Sequence, residues 1–100
     1  MSSFVTQAAI RQIPGARTVL EVNDSATALD LSGSVGKTIK MWAVGGTIYV
    51  RGAASAPTAV TTDFPIAEDS YEEFVITRGR CFVSAIGSDA DCDLHYEIEP

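Results

Sequence analysis

KTIKMWAVGGTIYVRG, residues 37–52, holds two apolar runs separated by Gly45-Gly46. Two glycines between β-prone runs are a hairpin signal, because a two-residue primed turn needs φ > 0 at its centre. The implied register sets Val44 opposite Thr47, Ala43 opposite Ile48 and Trp42 opposite Tyr49, then Met41 opposite Val50 and Lys40 opposite Arg51. Alternation sorts these residues onto two faces. Ile39, Met41, Ala43, Ile48 and Val50 form a core surface, and Thr38, Lys40, Trp42, Val44, Thr47, Tyr49 and Arg51 form the other. That second face joins two aromatics to two like charges, whose opposition costs up to about 1 kcal/mol unless acids lie nearby. Aromatic groups rimmed by cations compose the hot spots of protein contacts. Lys40, Trp42, Tyr49 and Arg51 are therefore candidate interface residues.

Toward the N-terminus, residues 28–32 (ALDLS) alternate, with Leu29 and Leu31 inward and Asp30 outward, and residues 18–22 (TVLEV) form a further strand. Asn23-Asp24-Ser25 between them is a turn, since Asn and Asp tolerate the left-handed region. Residues 1–16 read as an N-terminal arm broken at Pro14-Gly15, whose Phe4 and Val5 need a surface to lie on. Toward the C-terminus, residues 58–62 (TAVTT) are β-prone with little to bury, which predicts an edge strand. Pro65 places residues 63–66 (DFPI) at an edge or crossover, with Phe64 and Ile66 plugging one end of the core. Residues 71–77 (YEEFVIT) and 81–86 (CFVSAI) read as strands joined by an Arg78-Gly79-Arg80 hairpin loop. The closing LHYEI turns Leu94, Tyr96 and Ile98 inward, His95 and Glu97 outward.

Turn signals every 8–12 residues and no helical period define an all-β domain over residues 1–100, a two-sheet β-sandwich of jelly-roll or related Greek-key type. A formal net charge of −6 opposes sequence-independent binding to nucleic acid. No stretch approaches the ~20 apolar residues of a membrane span, and the first residues lack the pattern of a secretory leader. The chain is thus expected to be made, and to stay, in the cytoplasm unless assembly carries it out. Cys81 and Cys92 lack metal-type spacing and are expected as buried free thiols.

Catalytic signals are missing. His95 is the sole histidine, at an outward position, and no serine sits in a nucleophile-elbow motif. Glu72 and Glu73 are neighbours on a strand and point to opposite faces. Asp89, Asp91 and Asp93 resemble half of a calcium loop without its glycine and distal Glu, so they read as a solvated turn. The expectation is a non-enzymatic protein with no catalytic residue, cofactor or metal.

TIYVRG (47–52), TTDFPIAEDSYEEFVI (61–76), FVSAIG (82–87) and LHYEIE (94–99), in this order, resemble small β-rich virion proteins of tailed bacteriophages, some of the capsid decoration or cement type. The resemblance spans roughly residues 38–99 and departs from the pattern in two loops, Ala67-Glu68-Asp69 and Asp89–Asp93. It implies a structural protein of the virion, made in the host cytoplasm. Its partner would be the major capsid protein or another virion protein. Self-association is expected from the arm and from unprotected strand edges. The alternative is a tail-associated carbohydrate- or receptor-binding module. There Trp42 and Tyr49 would stack on one sugar ring, with Glu73 or Asp63 supplying hydrogen bonds.

Overall fold

The two runs around Gly45-Gly46 form strands, but they do not pair with each other. In the computed structural model, which describes residues 17–99, β3 (Thr38–Val44) and β4 (Ile48–Ala53) belong to different sheets. The arm with Phe4 and Val5 lies outside the described residues. The other strands are β1 (Thr18–Glu21), β2 (Thr27–Asp30), β5 (Phe64–Ile66), β6 (Tyr71–Val75), β7 (Phe82–Gly87) and β8 (Asp93–Glu99). One sheet runs β1-β8-β3-β6 and the other β2-β7-β4-β5, with every ladder antiparallel. The protein is an all-β two-sheet sandwich, and this strand order is that of a jelly roll.

A single ribbon explains the order. The first four strands pair with the last four, β1 with β8, β2 with β7, β3 with β6 and β4 with β5. The one in-sheet reversal among the described strands is therefore β4–β5, through residues 54–63. Elsewhere both legs of the ribbon bend together from one sheet to the other, and backbone hydrogen bonds persist through each bend. Asn23 N–H donates to Cys92 O at 2.8 Å and Gly87 N–H to Asn23 O at 2.9 Å at the first bend. Gly36 N–H donates to Ile76 O, and Ile76 N–H to Lys37 O, both at 2.8 Å, at the second. Asp69 N–H donates to Ala43 O at 2.9 Å at the third. Rolling the ribbon then brings β8 beside β3 and β7 beside β4.

The expected hairpin at Gly45-Gly46 is thus an arch between sheets. The expected core face survives this correction, because strands facing each other across a sandwich need the same inward alternation as strands paired in one sheet. Ile39, Met41, Ala43, Ile48 and Val50 are all buried. The glycines have a packing reason as well as a conformational one. Gly45 has φ +87°, and a Cβ there would overlap the Asp91 carbonyl oxygen. A Cβ at Gly46 would stand 2.7 Å from Cys92 Sγ. The arch passes beneath the β7–β8 loop at backbone distance.

Two further expectations are corrected. β6 and β7 lie in opposite sheets, so the Arg78-Gly79-Arg80 turn joins sheets and closes only the small Thr77–Arg80 bridge. Residues 58–62 form no strand. Their backbone is engaged elsewhere: Ala59 N–H donates to the buried Ser84 Oγ at 2.9 Å, and Val60 N–H to Asp63 Oδ2 at 2.8 Å. With no apolar stripe to pack, the loop is held by side-chain acceptors rather than by a ladder. Ile66 is fully buried as expected, but Phe64 is 49% exposed and meets Phe74 edge-on at 5.5 Å. Cys81 and Cys92 are buried free thiols near opposite ends of the sandwich.

Candidate functional site

The four interface candidates of residues 37–52 divide between the two outer faces. Lys40 and Trp42 stand on the outer face of the β1-β8-β3-β6 sheet, beside Glu73 and Tyr71 on β6 and Glu97 and His95 on β8. Tyr49 and Arg51 stand on the opposite sheet, beside Ile86 and Ser84 of β7. Lys40 therefore does not face Arg51, and their expected repulsion does not arise. Nor can one sugar ring stack on Trp42 and Tyr49 together. The register assumed for the arch predicted both pairings, and they fail with it.

Each cation has its own environment. Lys40 is only 7% exposed although its strand position points away from the core. Its Nζ lies 5.0 Å from the Tyr71 ring centroid and 5.7 Å from that of Trp42. Arg17 Cζ lies 5.0 Å from the Trp42 centroid, and the two rings are 6.3 Å apart at 46°. Ring faces carry negative charge, so an ammonium held between two of them, with carboxylates on the flanking strands, is stabilised despite burial. Arg51 instead pairs with Asp63, Nη2 to Oδ1 at 2.9 Å.

Asp63 caps its own loop. The Val60 N–H bonded to it, with Arg51 adding to the effect, holds its carboxyl below the ordinary value of 3.8. A depressed folded-state pKa lends stability that is present above pH 3.8 and lost as pH falls through the folded value. The Asp63 carboxyl carbon, followed by NMR, is expected to titrate with a midpoint below 3.8 in the native protein. A midpoint at or above that value would contradict the capping role.

The edge of β6 is a second feature. Ile76 N–H and Ser70 O bond toward β3, so the even-numbered backbone groups of this stretch face β3. By antiparallel alternation, the N–H and C=O groups of Tyr71, Glu73 and Val75 point to the open edge. Tyr71 is 49% and Val75 62% exposed. The other edge on this side, β5, carries Pro65, which offers no N–H donor; β6 has no Pro or Lys, and its charges are Glu72, in register with Met41, and Glu73, in register with Lys40.

Between these edges the sandwich is open. β5 has three residues against five in β6, and the shorter wall leaves a cleft of about 330 Å³ between the sheets. Ile39, Met41 and Phe74 line it from one sheet, Val50, Phe64 and Val83 from the other. Arg51, Thr77 and Arg80 stand at its rim. Only strand order brings these residues together, so the expectations drawn from residues 37–52 could not reveal the cleft.

Charge is divided by end. Glu21, Asp24, Glu68, Asp69, Asp89, Asp91 and Asp93 gather where the first and third bends meet, with no Lys or Arg beside them among the described residues. Lys37, Arg51, Arg78 and Arg80 lie at the other end, with the second bend and the cleft, among Asp30, Asp63 and Glu99. Among the described residues no group of three or more His, Cys, Asp or Glu is arranged to hold a metal ion, the expected Asp89–Asp93 turn included. His95 lies in register with Trp42. No family model, no curated protein and no solved structure matches the chain.

Proposed function

We propose that this chain is a non-enzymatic structural protein of a tailed-phage particle, which adds to the capsid and reinforces it by protein–protein contacts. The observation that carries the reading is the β6 edge. Among the described residues no strand lies beyond it, and it exposes Tyr71 and Val75 beside the Trp42–Lys40–Tyr71 cluster. An open edge is a template for strand addition by another chain, and aromatic groups beside cations add anchoring contacts. The sequence resemblance to phage virion proteins supplies the particle. Jelly rolls serve many roles, so the fold adds only compatibility.

Particles lacking the protein, mixed with the purified chain and sedimented, test this reading. The chain is expected to pellet with them, and negative-stain imaging of a labelled chain should place it over the capsid shell. Val75→Lys, on an exposed edge position, is expected to weaken pelleting at least tenfold while the variant melts within a few degrees of the parent. Label confined to tails, or equal pelleting of the variant, would overturn the assignment or the role of the edge respectively.

A further inference from the structure

The inter-sheet cleft has the composition of a small-molecule site rather than of a packing defect. Protein interiors are close-packed, and a void of about 330 Å³ falls at the lower end of the range for ligand pockets. Its walls are apolar on both sheets, and its polar groups are confined to the rim. Such a division orients an amphipathic ligand, tail inward and head at the mouth.

The rim specifies the head. Arg51 is already neutralised by Asp63, whereas Arg80 makes no ion pair among the described residues. Arg80 is also held in place. Its N–H donates to Thr77 O at 3.1 Å, closing a tight turn, and its stem lies against Gly52, where a Cβ would come within 3.3 Å of Cδ. Lys37 and Arg78 lie at the same end, as do Asp30, Asp63 and Glu99, so the cation offered at the mouth is Arg80 itself. We infer that the cleft binds a small amphipathic carboxylate, with its chain or ring between the sheets and its carboxylate on Arg80. This site shares Phe74 and Val75 of β6 with the edge contact proposed above but takes a small ligand instead of a partner strand.

Octanoate, hexanoate, octanol and octylamine are the probes, titrated into the ¹³C-methyl-labelled protein and read by NMR. Octanoate is expected to shift the methyls of Ile39, Met41 and Val50 saturably at one equivalent. Hexanoate should bind about 15-fold more weakly, since each buried methylene contributes about fourfold. Arg80→Gln, at an exposed turn position, should weaken octanoate about fivefold and leave octanol unchanged. Val83→Phe, which fills the cleft, should abolish both; if it fails to fold, the charge comparison at Arg80 stands alone. Unmoved cleft methyls, or octylamine binding as tightly as octanoate, would overturn the assignment. Particle binding by Arg80→Gln, whose β6 edge is intact, separates failure here from failure of the capsid reading.

Discussion

Replacing Gly87 by alanine is expected to lower the melting temperature by roughly 12–24 °C, the equivalent of about 3 kcal/mol in a domain of this size. Gly87 ends β7 at the first bend, paired with Ile48. A Cβ there would overlap the Asn23 carbonyl oxygen and Cys92 Cβ and stand 2.7 Å from Cys92 Sγ. Neither obstacle can swing aside. Asn23 O accepts the Gly87 N–H itself, and Cys92 is fully buried with its carbonyl bonded to Asn23. Relief requires the bend to open, which loosens both legs of the ribbon. Gly33→Ala is the control, since a Cβ there meets nothing within 4 Å, and it should change stability by less than about 0.5 kcal/mol. Thermal melts of the two variants side by side decide the matter: equal effects would mean that the bend is not packed as described.

Lys40→Ala is expected to cost about 1–3 kcal/mol, an unusual loss for a residue on an outer sheet face. The variant forfeits the stem packed across Trp42 and Tyr71 and two cation–ring contacts. Lys40→Met retains the stem and lacks the charge, so it divides the loss into packing and electrostatic parts. Urea denaturation is the measurement. Alanine should cost clearly more than methionine, which keeps the stem across both rings. A Lys40→Ala variant as stable as the parent would show that the cluster only decorates the surface.

Apart from residues 58–62 and Phe64, strand positions and inward faces were legible in the sequence because both depend on alternation within a short stretch. Ile39, Met41 and Ala43 turn inward under any pairing, and Leu94 and Ile66 likewise. Which strand lies beside which was not legible at Gly45-Gly46, since two glycines suit a primed hairpin and an arch equally. What distinguishes them is the crowding of the arch by Asp91 and Cys92, more than forty residues away. The candidate site suffered most from this. Lys40 and Trp42 found each other's neighbourhood through β6 and β8, whereas Tyr49 and Arg51 left for the other sheet. Arg80 gave no sign of its place at the mouth of the cleft, because only the rolled ribbon carries it beside Gly52.

The ribbon also sets the timing of folding during synthesis. Among the described strands the first made, β1, pairs with the last, Thr18 against Tyr96, and β2 waits for Ala85 to join Thr27. As the chain leaves the ribosome, the first ladder whose two halves are both present is β4–β5, followed by β3–β6, then β2–β7, and β8 completes the set. Until residues 93–99 have emerged, β3 lacks a neighbour on one side and β1 has none. Pairings so distant in sequence close slowly. The nascent sandwich therefore holds its apolar strands unfinished until β8 is made, and it closes around that seven-residue strand.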